Sequence, residues 1–192
     1  MKLILFAREP ELGVGKSRLA LDLGIEKTYN AYLEILTTLS QNLAGLEYSI
    51  EIHWTGTQLK LLKEIFPYVG SFTKQKGQNL GEILQNSLKY QKDRTIIIGS
   101  DSPDIPTNIF YDAVNKLDSH DYTLGSTQDG GYYLLGFNSY RDYIFDDISW
   151  STAFVYEETK SKIIKHNHTL YELPQWYDID TLADYKKFKS KP

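Results

Sequence analysis

The chain has 192 residues, 41% hydrophobic and 24% charged, the composition of an ordinary globular protein and a length read as one domain over 1–192. Its 21 Lys and Arg against 25 Asp and Glu give a net charge of −4, which leaves no basic field for nucleic acid. The absence of cysteine excludes disulfides, thiolate metal sites and a cysteine nucleophile, and it points to the cytoplasm.

Taken in order, Leu3 to Ala7 is an apolar run ended by Pro10 and Gly13, a strand buried on both faces. The whole N-terminal stretch is too short for a signal-peptide core, and no later window is long enough for a membrane span. Tyr32, Leu36, Leu39 and Leu43 recur at helical spacing and predict a helix from about Lys27 to Leu43. Ile50 to Thr55 reads as a strand. Leu59, Leu62 and Phe66 mark a short helix stopped by Pro67, and Leu80, Ile83, Leu84 and Leu88 mark another. Thr95 to Gly99 is the strongest strand signal, ended by Ser100-Asp101-Ser102-Pro103-Asp104-Ile105-Pro106.

Ile109, Ala113 and Leu117 predict a further helix, and Tyr122 to Gly125 and Tyr132 to Phe137 predict strands flanking the turn Gln128-Asp129-Gly130-Gly131. A helix from about Ser151 to His166, a strand near Thr169 to Leu173 and a last helix with Leu182, Tyr185 and Phe188 complete the chain. This alternation implies a three-layer α/β/α, Rossmann-like architecture with a mainly parallel sheet, whose ligands bind beyond the carboxyl ends of the strands.

Four groups of residues there can carry chemistry. Gly13-Val14-Gly15-Lys16-Ser17-Arg18 contains Gly-Lys-Ser, but a phosphate-wrapping P-loop needs glycine where Pro10 stands, and Arg18 replaces the third glycine of a dinucleotide fingerprint. What remains is a glycine-bearing loop with Arg8, Lys16 and Arg18 as cations for a phosphate, or a solvated loop with surface charges. Asp101, directly after the central strand, suits a hard divalent ion, whereas Asp104 or Thr107 also suits the cap of the next helix. Asp129 belongs to an Asp-Gly turn that either serves a ligand or is simply a turn. Asp178 and Asp180 precede Thr181, and either Asp180 or Thr181 can cap the last helix. His166 and His168 lack a third ligand nearby and read as surface residues. The 15 Tyr suit a sugar or base pocket or a homodimer face, although part-buried core positions account for most of them more simply.

Five segments together resemble a known family: Phe6-Ala7-Arg8-Glu9-Pro10 with Gly13, Lys16, Arg18 and Leu19; Gly99 to Asp104; Asp129-Gly130-Gly131-Tyr132-Tyr133-Leu134-Leu135-Gly136; Trp150-Ser151-Thr152; and Asp178-Ile179-Asp180-Thr181. In this order they are similar to a bacterial family of GT-A-type glycosyltransferases of largely unknown substrate, within the nucleotide-diphospho-sugar transferase superfamily. The resemblance spans nearly the whole chain and implies the GT-A fold. It gives Ala7, Arg8, Gly13, Lys16, Arg18 and Ser100 a nucleotide-binding role, and Asp101 and Asp180 a Mg²⁺ or Mn²⁺ ion. The usual Asp-x-Asp signature appears here as Asp101-Ser102-Pro103-Asp104, its second acid displaced by one position.

The expectation is therefore a metal-dependent enzyme that passes a glycosyl group from a nucleoside-diphosphate sugar to an unknown small acceptor. Asp129 would activate the acceptor or position the sugar, and Lys16 would stabilise the departing diphosphate. Two alternatives accompany it: a nucleotidyltransferase joining an NTP to a phosphorylated small molecule with release of pyrophosphate, and a non-catalytic nucleotide-sugar-binding domain.

Overall fold

Successive residues of the first strand serve opposite faces of one sheet, Leu3 and Leu5 in one buried cluster and Ile4 in another, as the two-residue period of a strand requires. A computed structural model describes residues 1–190. Its elements are β1 (Lys2–Arg8), α1 (Ser17–Leu23), α2 (Ile25–Ala44), β2 (Ser49–Thr55), α3 (Leu61–Ile65), β3 (Ser71–Lys74), α4 (Leu80–Leu88) and β4 (Thr95–Gly99). They continue with α5 (Thr107–Lys116), β5 (Tyr122–Thr127), β6 (Tyr132–Phe137), a 3-10 turn (Asp142–Phe145), α6 (Val155–Lys165), β7 (Leu170–Trp176) and α7 (Leu182–Lys189).

The seven strands form one sheet in the order β3-β2-β1-β4-β6-β5-β7. β6 alone runs against its neighbours, β4 and β5; the remaining pairs are parallel. Leu3, Leu5, Ile96, Ile98 and Leu134 pack on one face with Leu36 and Leu39 of α2 and Ile109 and Phe110 of α5. Ile4, Ile97 and Leu135 pack on the other with Leu84 and Leu88 of α4 and Ile163 of α6. This is the three-layer α/β arrangement with a mainly parallel sheet that the sequence predicts.

Three elements depart from the expectation. α1 begins inside the supposed loop, because only Leu19 of its seven residues is buried and Leu21 is 87% exposed, leaving no apolar stripe to read. β3 is a four-residue edge strand with one half-buried residue, Phe72. β7 runs past Pro174 to Trp176; as the outermost strand it has a free side on which a missing N–H is tolerated. Among the described residues no helix is long and apolar enough to cross a membrane.

The register places the chemistry. Phe6 of β1 lies beside Gly99 of β4, so the loops that follow them leave the sheet at the same edge. β5 and β7 run parallel to each other and β5 shares the direction of β4, since both oppose β6. The turn holding Asp129 and the segment holding Asp178 and Asp180 therefore emerge at that edge too.

Candidate active site

Lys16 is the centre of the arrangement. Gly13 and Gly15, both at φ 79°, and Lys16 itself, at φ 48°, lie in the left-handed region, which for a non-glycine residue costs about 1 kcal/mol. That conformation sends the Lys16 side chain inward, where it is 7% exposed. Its Nζ is 2.7 Å from Asp101 Oδ1 and 3.2 Å from Asp180 Oδ1, and it donates to the Ile179 carbonyl at 2.6 Å. Three oxygens thus surround an ammonium that has three donors. Burial alone would pull the Lys16 pKa down, but the charges of Asp101 and Asp180 outweigh it and hold the pKa above the ordinary lysine value.

The two loops that supply these oxygens are stitched together. The Ile179 N–H donates to the Asp101 carbonyl at 2.8 Å. Ser102 Oγ donates to the Tyr177 carbonyl at 2.9 Å and to Asp178 Oδ1 at 2.5 Å. Asp104 accepts from Trp176 Nε1 at 3.0 Å and from the Tyr177 hydroxyl at 2.5 Å. Asp104 thus anchors the end of β7, and neither it nor Thr107 caps α5, whose first turn has no side-chain cap. The cap of α7 is Thr181, reciprocated by Asp184, which leaves Asp180 to face Lys16.

Asp129 keeps its turn and faces a cavity. Its Oδ1 accepts from Thr127 Oγ1 at 2.5 Å and from the Gly131 N–H at 3.1 Å. The next residue, Gly130, has φ 90° and lies so close to the Ala153 carbonyl that a Cβ would come within 2.1 Å of it. The Tyr156 N–H also donates to the Gly130 carbonyl at 2.9 Å, pinning the turn to the start of α6. The cavity beside it has a volume of about 580 Å³. Its charged lining is Arg18, Asp129, Asp178 and Asp180, and its apolar lining includes Phe6, Leu80, Leu84, Ile97, Tyr132 and Trp150.

Asp178 sits where its charge is disfavoured. Burial, chiefly, with the nearby charges of Asp101 and Asp129, pushes its pKa up to about 7 against the opposing pull of Ser102 and Lys16. The sequence marks this residue only as a neighbour of Asp180; the signal that separates them is Ser102, whose hydroxyl reaches Asp178 from a distant loop.

The remaining predicted residues divide. Arg18 stands at the rim, its side chain 72% exposed and 4.0 Å from Asp180 Oδ2. Ala7 is buried, and the backbone of Arg8 is bracketed by the Tyr32 hydroxyl, which accepts from its N–H at 3.3 Å and donates to its carbonyl at 3.0 Å. Ser100 is buried against the same Tyr32. Gly13 lines a separate cavity of about 230 Å³ with Val14, Gly15 and Lys16. Neither Ala7, Arg8, Ser100 nor Gly13 lines the larger cavity. His166 stacks on Tyr143, with ring centroids 3.7 Å apart, and His168 lies in the same stack.

Among the described residues there is no cluster of three or more His, Cys, Asp or Glu side chains arranged to hold a metal ion. Asp101 and Asp180 nevertheless converge on one cation, the Lys16 ammonium. Two carboxylates meeting at one point fit Mg²⁺ or Mn²⁺, which take one or two protein carboxylates and complete their shell with phosphate oxygens and water.

Among the solved structures that resemble this one are those of three proteins. A protein of Desulfovibrio desulfuricans G20, proposed to be a nucleotide-diphospho-sugar transferase, is 32% identical with a TM-score of 0.86, over 98% of this chain and 86% of that one. The inositol-1-phosphate CTP transferase of T. maritima is 13% identical with a TM-score of 0.66, over 98% and 94% of the two chains. A cytidylyltransferase of Leptospira borgpetersenii is 18% identical with a TM-score of 0.60, over 98% and 84%. The last two likenesses are of fold. No curated protein matches the chain. A model of a family described as uncharacterized proteins conserved in bacteria, DUF2064, matches residues 38–152, and the chain belongs to that family.

Proposed function

We propose that the chain is a nucleotide-dependent transferase that moves a glycosyl group from a nucleoside-diphosphate sugar to a small acceptor. The observation that carries this reading is the meeting of Asp101 and Asp180 on Lys16, with Asp180 also lining the 580 Å³ cavity. The likeness to the D. desulfuricans protein supports it.

Asp101 and Asp180 would hold Mg²⁺ or Mn²⁺, which when bound supplies Lewis-acid stabilisation to the negative charge gathering on the departing diphosphate. Lys16 holds the two carboxylates together until the ion enters, and the exposed Arg18 presents a guanidinium to the phosphates. In the transfer, an acceptor hydroxyl oxygen bonds to the anomeric carbon while the bond from that carbon to the diphosphate oxygen breaks. The electron pair leaves with the nucleoside diphosphate, and the hydroxyl proton passes to Asp129. One oxygen of Asp129 is held by Thr127 and Gly131, which fixes the carboxylate for that role.

The test is a thermal-shift series of nucleoside diphosphates, triphosphates and nucleotide sugars, with and without Mn²⁺, on the wild type and Asp101→Asn. A Mn²⁺-dependent rise in Tm with a nucleotide sugar, absent from Asp101→Asn, is the expected result. A rise with a triphosphate alone would replace glycosyl transfer by nucleotidyl transfer, and no rise with any nucleotide would remove the reading altogether.

A further inference from the structure

The 580 Å³ cavity has a chemical character that the carboxylates at its rim do not explain. It is lined by Phe6 and Ile97, from the adjacent strands β1 and β4, and on one wall by Leu80 and Leu84 of α4. Trp150 extends that wall. Its indole packs on Gly81 so closely that a Cβ there would come within 2.5 Å of Nε1, so the ring is seated by the first turn of α4. Leu80, also in that turn, is 45% exposed, an apolar side chain left beside an empty apolar volume. Tyr132 also lines the cavity.

The charge distribution is as informative. The ionic groups lining the cavity are three carboxylates, Asp129, Asp178 and Asp180, and one guanidinium, Arg18. Arg18 stands at the mouth, 72% exposed and 4.0 Å from Asp180, and Lys16 is surrounded by its own three oxygens. An anionic group inside the cavity would meet apolar walls and three acids against the single guanidinium of Arg18, a balance of charge that disfavours it.

Building on the transferase reading, we infer that this cavity is the acceptor subsite and that its occupant is an uncharged alcohol with an apolar body. The apolar body lies between Trp150, Leu80 and Phe6, and the hydroxyl faces Asp129, to which it gives its proton as its oxygen takes the glycosyl group. A volume of this size suits a small molecule. The occupant this excludes is a sugar phosphate, the kind of acceptor that nucleotidyl transfer would use.

Equilibrium dialysis on the unliganded full chain tests this with a matched pair of probes, 2-naphthylmethanol and 2-naphthylmethyl phosphate. The expected result is binding of the alcohol at least about tenfold tighter than the phosphate, since the added charge is desolvated among acids that outnumber the one guanidinium. Leu80→Glu should weaken the alcohol by about tenfold, and the exposed position at the first turn of a helix tolerates an acid. Uridine, cytidine, guanosine and adenosine, added as competitors, should leave the alcohol bound. Equal or tighter binding of the phosphate, no binding of either probe, displacement by a nucleoside, or unchanged binding in Leu80→Glu would each overturn the inference. These probes contain no nucleotide, so their failure is separate from a failure of the nucleotide-sugar thermal shift: the first removes the acceptor class and the second the transferase reading.

Discussion

Lys16 Nζ stands 2.7 Å from Asp101 Oδ1, a contact between the loop after β1 and the loop after β4 that the sheet register makes possible by setting Phe6 beside Gly99. With Asp180 at 3.2 Å on the other side, the ammonium occupies the point at which a divalent ion would satisfy the same carboxylates. Replacing it tests this equivalence. Lys16→Met should lower Tm, because two carboxylates and a carbonyl lose their shared cation, and Mn²⁺ should raise the Tm of the variant more than that of the wild type. An equal response of both proteins to Mn²⁺, measured by calorimetry without nucleotide, would refute it.

Asp129 offers a separation of structure from chemistry. Asn can accept the Thr127 and Gly131 hydrogen bonds at the same Oδ1, so Asp129→Asn should keep the turn and the Tm of the wild type. It cannot take up a proton from an acceptor, and turnover should fall by about a hundredfold or more. Rates of glycosyl transfer measured beside melting curves decide the matter; normal turnover with a normal Tm would remove Asp129 from the reaction.

How much of this was legible beforehand depends on which signal each residue leaves. The buried strands announce themselves as apolar runs, and the acids at their carboxyl ends, Asp101 and Asp129, follow from the position of those runs. Thr181 and Asp104 show the limit: both sit where a cap is needed, yet Thr181 caps α7 while Asp104 ties down Trp176 and Tyr177. Only the fold tells these uses apart. The exposed α1, the edge strand β3 and the cavity wall at Trp150 leave no periodic trace, because their neighbours are distant in sequence.

Glu9 is a further residue without a local signal. It is 3% exposed, and its carboxylate accepts from the N–H groups of Lys60, Leu61 and Leu62 at 3.0, 2.7 and 3.1 Å, holding the start of α3 from the end of β1. Glu9→Ala strands those donors and should reduce stability by about 2 to 3 kcal/mol. Urea unfolding reads this directly, and a change below about 0.5 kcal/mol would show that water replaces the carboxylate.

His53 sets an acid limit on stability. It is 2% exposed in β2, its ring 5.3 Å from that of Phe6, with Nε2 3.1 Å from Glu51 Oε1 in an orientation that makes no hydrogen bond. Burial lowers its pKa below the usual histidine value, outweighing the attraction of Glu51; Lys2 lowers it further. Because the unfolded chain takes up the proton first, stability should be full above about pH 6.5 and fall as pH drops from there toward the depressed folded value. His53→Gln should remove that contribution between about pH 7 and 5.5; because Asp178, with its pKa pushed up to about 7, gains stability as pH falls through the same window, the comparison is made in an Asp178→Asn background. An unchanged slope in denaturant melts across that window would assign the effect elsewhere.

The burial of Asp178 has a cost that natural selection for stability alone would not keep. Its carboxylate is desolvated among the charges of Asp101 and Asp129, while an amide in its place would accept the Ser102 hydroxyl equally well. Asp178→Asn is therefore expected to melt at a higher temperature than the wild type at pH 8, by a few degrees. Under the proposed transferase reading, the charge of Asp178 places the protein on the activity side of a trade-off between robustness and chemistry: an acid kept where the fold would be more durable with an amide.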